Sequence, residues 1–295
     1  MASRRLIGVF LILGLMSISN IQSFAIIEIE IFANTNMTLD VRQPLEKTPF
    51  LERFEEMEKE VSYSEFYQDF DPSNDKEYLQ KFKQFVQKLH DANQKYGYPD
   101  SFDLDGILNS SELNDEYLIP MGGGNANNGR AINYHNGMSP GWFKNGDIVL
   151  ATNPGWHPQG RIEHAGLMDK SRYNEGDPTE ACFHSAQSGI GVIYEDLTVY
   201  EGRRECWQIS VITTQENRDF AVRQAALDAP EGKQYLWSAS KNDLDRWYCS
   251  KIPWHGYYRA VGIDIDANGG YHVLPEDILN SGHVAIWHHW EDIDK

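Results

Sequence analysis

Apolar positions in the first third of the chain recur at helical spacing. Two segments rich in Glu, Lys and Gln, PLEKTPFLERFEEMEKEV and NDKEYLQKFKQFVQKLHDANQKYG, are therefore predicted to be helices. In the second segment, intervals of three and four residues place five apolar side chains on one helical face: Leu79, Phe82, Phe85, Val86 and Leu89. Such a face needs a partner surface, for which the sequence offers four aromatic residues: Phe50, Phe54, Phe66 and Phe70. We expect a helical N-terminal region over residues 26–120.

The pattern changes after the Gly- and Asn-rich segment MGGGNANNG at residues 121–129, which we interpret as a linker. Short runs rich in Val, Ile and aromatic residues follow, and they predict strands: DIVLAT, HAGLMD, EACFHSA, GVIYEDL and CWQISVI. A helix, NRDFAVRQAALDA, comes next, and GHVAIWHHW near the end is a last strand. Segregated helices and strands predict an α+β fold, with the second domain over residues 130–295.

Residues 1–25 have the pattern of a secretory signal peptide. Arg4 and Arg5 form a basic start, LIGVFLILGLM is the apolar run, and Ser23 and Ala25 give a small-x-small cleavage site. The apolar run is too short to favour spanning a membrane. We expect an exported product, secreted or periplasmic, that is monomeric and has no stable membrane span. An uncleaved N-terminal anchor is the alternative.

The charge of the chain excludes one class of partner. The formal net charge of the 295 residues is -18, and it becomes -20 when the charges of Arg4 and Arg5 are removed with the signal. No basic run interrupts this acidic balance, which argues against nucleic acid and against anionic lipid surfaces. The chain also lacks the Gly-x-Ser-x-Gly, His-Glu-x-x-His and phosphate-binding Gly-Lys-Ser/Thr motifs. Their absence argues against serine hydrolases, zinc proteases and nucleotide-dependent enzymes.

The segment WYCSKIPWHGYY, residues 247–258, contains the strongest candidate for chemistry, Cys249. A thiol attacks as a thiolate, which a helix N-terminus or a nearby imidazolium stabilises. Asp243 and Asp245 are residues of the capping type and predict a helix start at the cysteine. The alternative is a buried structural cysteine. A disulfide between Cys182 and Cys206 would leave Cys249 free, whereas a disulfide that includes Cys249 would exclude a nucleophile.

Two histidines on predicted strands are candidates for the base that a cysteine nucleophile needs. His164 begins the run HAGLMD, and His184 lies in the next candidate strand, EACFHSA. If the two strands are antiparallel neighbours, opposed side chains lie about 4.5–5.5 Å apart at Cβ, and the rings can meet on one face. Taken alone, each histidine is better explained as a half-buried or surface residue.

In their order along the chain, the motifs GDIVLA, HAGLM, HSAQSGIGVIYEDL, WYCSKIPW and GIDIDANGGYHVLPEDILNS resemble the YiiX/YebB-like cysteine hydrolases of the NlpC superfamily. The resemblance spans residues 130–285 and implies a circularly permuted papain-like fold, with an antiparallel sheet or barrel packed on helices. It implies Cys249 as the nucleophile, His164 as the base, and His184 in the place of a third polar residue. That residue is commonly Glu in YiiX-like members and His in the lecithin:retinol acyltransferase-like relatives. Tyr235, which matches a family tyrosine, and Tyr248 are then expected to line the substrate pocket.

The stretch SFDLDGILNSSEL, before the linker, predicts a calcium-binding loop of the EF type. When Gly106 takes the sharp-turn position, Asp103, Asp105, Asn109 and Glu112 occupy the third, fifth, ninth and twelfth positions. The first position carries Ser in place of the usual Asp. The alternative is an Asx turn followed by a helix cap, without a metal.

Together these features predict a secreted cysteine hydrolase that cleaves an amide or ester bond through an acyl-enzyme on Cys249 and requires no cofactor. The resemblance leaves cell-wall peptides and lipid-linked acyl groups open as substrates. The alternative from another class is a secreted, calcium-stabilised binding protein whose hydrolase domain is inactive.

Overall fold

The computed structural model describes residues 75–97, 102–111, 137–152, 162–174 and 181–291, together with four single residues: Val61, Asp100, His157 and Gly160. All of them belong to one compact unit, Lys47–Lys295. The predicted signal segment 1–25, the linker 121–129, Glu112 and the aromatic partner surface proposed for the N-terminal helix lie outside the described residues.

Helices and strands are mixed along the described part of the chain, and we number them in chain order. The helices are α1 Asp75–Tyr96, α2 Leu104–Asn109, α3 Thr198–Glu201, α4 Gln215–Asp228, α5 Lys251–Val261 and α6 Pro275–Leu279. The strands are β1 Ile148–Thr152, β2 His164–Met168, β3 Phe183–Gln187, β4 Gly191–Glu195, β5 Glu205–Val211, β6 Gln234–Tyr235, β7 Arg246–Trp247 and β8 Val284–Glu291. Short 3-10 turns occupy Pro140–Trp142 and Lys170–Arg172.

The predicted apolar face of the N-terminal helix is confirmed. Phe82, Phe85, Val86 and Leu89 of α1 are buried, and they belong to the same apolar cluster as β1 and α5. Lys83 fastens α2 beside α1, because its ammonium donates to the carbonyl oxygens of two residues at the end of α2, each at 2.7 Å. The helical region therefore packs on the core that also contains the candidate site.

Six strands form one antiparallel sheet in the order β4-β3-β2-β1-β5-β8, which makes the domain an α+β fold as predicted. The central strands β1, β2, β3 and β5 are buried along their whole length. Strands covered on both faces need apolar residues at nearly every position, which explains runs such as IVLAT in β1.

One face of the sheet is covered by α4 and α5, which pack closely against each other. Gly256 of α5 makes this approach possible, since a Cβ there would lie 2.7 Å from the carbonyl oxygen of Ala221 in α4. The opposite face carries a second apolar cluster that includes Val149, Met168 and Tyr200. Helix α5 also contacts β2, a central strand of the sheet.

In the described part of the chain, no helix has both the length and the apolar character needed to cross a membrane.

Candidate active site

Cys249 lies in a turn between β7 and α5, immediately before the helix cap Ser250, so the predicted helix start at the cysteine is confirmed. The predicted caps are wrong. Asp243 accepts hydrogen bonds from the N–H groups of Asp245 and Arg246 at 2.8 and 3.2 Å, which forms a turn before β7 and leaves α5 uncapped by either aspartate. Seven residues lie between Asp243 and Lys251, the first residue of α5, and five between Asp245 and Lys251, so neither aspartate is at the cap position, which Ser250 occupies.

Lys251, the first residue of α5, binds the loop that precedes β7 and the turn that contains Cys249. Its side chain is fully buried, and the ammonium donates to the backbone carbonyl oxygens of Ser240, Asp243 and Arg246, at 3.1 Å for Ser240 and 2.8 Å for Arg246. Burial lowers its pKa from 10.5 to about 8. The loop before β7 is therefore tied to the start of the helix that carries the thiol.

His164, the first residue of β2, lies beside the thiol and opposite a carboxylate. Its Nε2 is 2.9 and 2.8 Å from the two carboxylate oxygens of Glu195 at the end of β4. The side chain of Cys249 makes hydrogen-bonding contact with the same ring. Because Glu195 engages Nε2, Nδ1 is the nitrogen left for the thiol. Cys249, His164 and Glu195 are all at least 97% buried, with exposed fractions of 3%, 2% and 2%.

Three donors hold the Glu195 carboxylate in place. Gln187 donates from Nε2 to Oε1 at 2.5 Å, the Tyr200 hydroxyl donates to Oε2, and His164 donates from Nε2. Burial alone would raise the pKa of this carboxyl, but the charge of His164 and these hydrogen bonds outweigh burial and hold the pKa below its ordinary value. Glu195 is therefore ionised at neutral pH and supplies a fixed negative charge at the base.

The protonation of His164 follows from this pair. Burial lowers its pKa, but the charge of Glu195 and the hydrogen bonds with Cys249 and Glu195 outweigh that effect and raise it from 6.5 to about 9. At neutral pH the ring is thus an imidazolium between a carboxylate and a thiol. A neighbouring imidazolium favours the thiolate form of a cysteine.

Gly166, in the middle of β2, allows Tyr200 to reach Glu195. A Cβ at Gly166 would lie 2.2 Å from the Tyr200 hydroxyl oxygen and 3.1 Å from the Cβ of Phe183. Tyr200 also stacks on the ring of His164, with centroids 5.6 Å apart. The Gly in the HAG motif is therefore required for the close approach of a side chain that supports the base.

The structure corrects the predicted role of His184. Strands β2 and β3 are antiparallel neighbours, as expected, but the register pairs His184 with Leu167. Strand alternation then places His184 on the face opposite to His164. Its Nε2 donates to the carbonyl oxygen of Ala229 at 2.9 Å, its ring stacks on Tyr194, and burial lowers its pKa to about 4. His184 is a neutral, structural histidine.

Sequence reasoning missed Glu195, the residue that takes the orienting position. The signal was an acidic residue in the otherwise apolar strand GVIYE, because a carboxylate buried in a sheet needs a partner. The strand register explains why the partner of Glu195 is His164. Glu195 is opposite Phe183, which is opposite Met168, and Met168 shares a face with His164.

A pocket opens beside the thiol. It encloses about 270 Å3, including the part open to solvent, and it is lined by Trp237 and by the segments 248–250 and 272–275. Tyr248 lines this pocket, as expected, whereas the other predicted lining residue, Tyr235, is buried in β6, and Trp237 two residues later takes the place at the pocket wall. No sequence pattern pointed to His272, which lies 23 residues beyond Cys249.

Cys249 has no disulfide partner, since none of the three cysteines forms a disulfide bond. Cys182 extends β3 through backbone hydrogen bonds to Asp169 and Glu195, and Cys206 lies on β5. These strands are separated by β2 and β1, hence by about 14 Å. A disulfide requires Cα atoms about 4.4–6.8 Å apart, so the pairing of Cys182 with Cys206 is excluded in this structure.

The predicted calcium loop has the geometry of its alternative. Asp103 accepts from the N–H of Gly106 at 3.0 Å and caps α2, and Asn109 donates to the carbonyl oxygen of Asp105 within the same helix. The fourth predicted ligand, Glu112, lies outside the described residues. Where side chains are described, no group of three or more His, Cys, Asp or Glu residues is arranged to hold a metal ion. Calcium binding stays a prediction.

A second histidine–carboxylate pair, in which the histidine is buried and the carboxylate partly exposed, provides a comparison. His255 of α5 has its Nε2 2.8 Å from Oδ2 of Asp228 in α4, and its ring meets Trp247 edge to face. This pair joins two helices and is separate from the Cys249 pocket, which none of its residues lines.

Comparisons with known proteins give little to add to this geometry. No protein-family model matches the chain. No curated protein matches it in sequence. Among solved structures, the crystal structure of the metalloprotein YiiX from Escherichia coli O157:H7 is similar, with 16% sequence identity and a TM-score of 0.38, over 49% of this chain and 96% of the YiiX chain.

Proposed function

We propose that this chain is a cysteine hydrolase that cleaves an amide or ester bond through an acyl-enzyme on Cys249. The observation that carries the proposal is one buried chain of contacts, in which the thiol meets His164 and His164 meets Glu195. Nucleophile, base and orienting carboxylate in this order are the arrangement that acyl transfer by a thiol needs. The base precedes the nucleophile in the chain, as in the permuted papain-like arrangement that the motifs resemble.

The proposed reaction begins with attack of the Cys249 sulfur on the carbonyl carbon of the substrate. Collapse of the tetrahedral intermediate breaks the bond to the leaving group, which takes a proton from His164, and leaves a thioester. His164 then removes a proton from water, whose oxygen attacks the thioester. The acid product leaves, and the proton returns to the thiolate–imidazole pair. Glu195 keeps the ring oriented and stabilises each imidazolium form.

The N–H of Cys249 is the proposed donor to the oxyanion. Among backbone carbonyls of the described residues, none accepts a hydrogen bond from it. It lies just before the first turn of α5, where the positive end of the helix dipole favours negative charge. Both features favour stabilisation of the tetrahedral intermediate at this position.

The thiol is better suited to acyl transfer than to thiol–disulfide exchange. A dithiol exchange cycle within the chain needs a second thiol near Cys249, and both Cys182 and Cys206 belong to the apolar cluster on the other face of the sheet. The intact triad geometry also favours an enzyme over the inactive binding protein. By the same proposal the enzyme is exported, and its substrate is a cell-wall peptide or a lipid-linked acyl compound.

Alkylation by iodoacetamide at neutral pH, followed by mass spectrometry, tests the nucleophile. We expect Cys249 to react faster than Cys182 and Cys206, and its rate to collapse in His164→Ala. His184→Ala is the matched control, because it removes an equally buried histidine from the neighbouring strand. Circular dichroism establishes that the variants are folded. Slow alkylation of Cys249 that is equally slow in His164→Ala contradicts the proposal.

A further inference from the structure

The backbone of Cys249 lies between β7 and α5 and is hydrogen-bonded within neither element. Strand β7 ends at Trp247, and the bonds of α5 begin one residue after the cysteine, where the N–H of Trp254 donates to the carbonyl oxygen of Ser250 at 3.4 Å. A helical bond to the carbonyl of Cys249 would come from residue 253, but that residue is a proline and has no N–H. Among the backbone groups of the described residues, none bonds the N–H or the carbonyl oxygen of Cys249. The position of the cysteine therefore depends on the residues beside it.

The two residues that flank Cys249 both bind the backbone of Val273. The N–H of Val273 donates to the hydroxyl oxygen of Tyr248 at 3.1 Å, and the hydroxyl of Ser250 donates to the carbonyl oxygen of Val273 at 2.6 Å. Tyr248, Ser250 and Val273 are all buried. We call this pair of bonds the Val273 clamp. Because one bond comes from each side of the cysteine, the clamp restricts rotation of the two peptide units that meet at Cys249.

Val273 is itself fixed to the start of α6. The next residue, Leu274, donates its N–H to Oδ2 of Asp277 at 2.8 Å, and the other carboxylate oxygen of Asp277 accepts a hydrogen bond from the side-chain amide of Asn268 at 2.7 Å. The side chain of Val273 is fully buried in the apolar cluster that also contains residues of α5. The clamp therefore connects the cysteine turn to a packed part of the domain.

The clamp acts on the oxyanion donor, whereas other residues determine the charge of the base. The N–H proposed to bind the oxyanion belongs to the peptide unit that joins Tyr248 to Cys249, so its direction follows from the rotation of that unit. Burial lowers the pKa of His164, and Glu195 and the thiol raise it. A change in the clamp leaves these groups in place. Donors to an oxyanion are effective when they are aligned before the reaction, and a misplacement of about 1 Å can cost roughly a hundredfold in rate.

We propose, on the basis of the proposed cysteine hydrolase function, that Tyr248 and Ser250 are positioning residues, which direct the N–H of Cys249 toward the oxyanion through their bonds to Val273. Loss of either bond frees one side of the cysteine and leaves a buried polar group of Val273 without its partner. The peptide unit can then rotate, and the donor is misaligned. Complete removal of an oxyanion donor slows acyl transfer by roughly 100- to 1,000-fold, so the partial misalignment of one donor should slow it by roughly tenfold.

Two reactions of Cys249 separate the role of the clamp from that of the base. Hydrolysis of 4-nitrophenyl acetate passes through an oxyanion, whereas alkylation by iodoacetamide needs only the thiolate. We expect kcat/KM for the ester to fall roughly tenfold in Tyr248→Phe and in Ser250→Ala, while the alkylation rate of Cys249 at neutral pH stays within about twofold of the wild type. Ser250→Thr keeps the hydroxyl and should recover most of the ester hydrolysis. Cys249→Ser measures the background.

Tyr257→Phe is the matched control, because it removes the hydroxyl of another buried tyrosine, which donates to the carbonyl oxygen of Gly146 at 2.6 Å. Both rates of this variant should match the wild type, and circular dichroism establishes that all variants are folded. Unchanged ester hydrolysis in both clamp variants, equal losses of ester hydrolysis and alkylation, or a Ser250→Thr protein as slow as Ser250→Ala overturns the role of the clamp alone. Failure of the wild type to form an acyl-enzyme on Cys249 overturns the hydrolase proposal and this inference with it.

Discussion

Replacing Glu195 by Gln tests the electrostatic core of the site with little change of volume. The substitution removes the negative charge next to His164 but keeps a side chain that can hydrogen-bond Tyr200 and Gln187. Without that charge, burial is the dominant influence on His164, and burial lowers its pKa. At neutral pH the ring in the variant is therefore neutral, and the thiol loses its imidazolium partner.

The size of the effect follows from the pKa of His164. The difference between 6.5 and about 9 corresponds to about 3 kcal/mol of net preference for the protonated ring, or roughly 300-fold in its protonation equilibrium, and the charge of Glu195 is the largest influence that favours protonation. We expect kcat/KM toward a 4-nitrophenyl ester at neutral pH to fall by roughly that factor in Glu195→Gln. The wild-type rate should fall as the pH rises through about 9, where His164 loses its proton and Cys249 loses its imidazolium partner.

The same substitution has a pH-dependent effect on stability. His164 has a raised pKa in the folded state, so its contribution is fully present below pH 6.5 and is lost as the pH rises through about 9. Glu195 has a lowered pKa, so its contribution is present above about pH 4.5. Urea denaturation should therefore show the largest difference between wild type and Glu195→Gln between pH 4.5 and 6.5, with a smaller difference toward pH 9.

Asp228→Asn is the control for both measurements, because it neutralises the partly exposed carboxylate that is paired with His255, the buried histidine of α5. Its rate and its basic limb should match the wild type. A Glu195→Gln enzyme that keeps the wild-type basic limb and rate refutes the assignment of Glu195 as the orienting carboxylate, and with it the electrostatic account of His164.

The remaining predictions concern other parts of the structure. Gly166→Ala places a methyl group against the Tyr200 hydroxyl, and we expect a loss of about 1–3 kcal/mol in urea denaturation together with lower activity; unchanged values contradict the close approach. Burial raises the pKa of Asp277 from 3.8 to about 7, so the folded state binds a proton that the unfolded state releases between these values. The free energy of unfolding should therefore decrease as the pH rises from about 4 to about 7, and this decrease should be smaller in Asp277→Asn. Calorimetric titration of the chelator-treated protein should show calcium binding that Glu112→Ala abolishes, and absence of heat with the wild type removes the calcium site.

Elements of the fold were predictable from sequence because their signals are local. The apolar face of α1 and the strand runs around His164 and Cys206 depend only on spacing within one element, and the structure confirms them. The helix start at Cys249 was also found, but for the wrong reason. Asp243 uses its carboxylate in a turn before β7, and Ser250 occupies the cap position without a side-chain cap bond. The local sequence pattern predicted where α5 begins but not which residue occupies its cap position.

The third residue of the site was not predictable by the same means. His184 and Glu195 both lie on strands next to the base, and both residue types can orient an imidazole. The choice between them depends on a register of one residue, because a shift by one exchanges the faces of a strand. Pairing of His184 with Leu167 places it against Ala229, and pairing of Glu195 with Phe183 places it against His164. No property of either residue alone contains that information.

The pocket wall has an equally non-local origin. Trp237 owes its position to Phe82, which is more than 150 residues earlier in the chain, and the opposite wall is held by Tyr248 and Ser250 through Val273. Cys249 is therefore positioned by the turn that begins α5, whereas His164 and Glu195 are positioned by strands of the sheet. A substitution that loosens the start of α5 should therefore impair both attack by the Cys249 thiol and substrate binding, while the hydrogen bonds between His164 and Glu195 remain intact. The N-terminal helical region, through Phe82, then contributes to the position of Trp237 beside Cys249 as well as to the core of the domain.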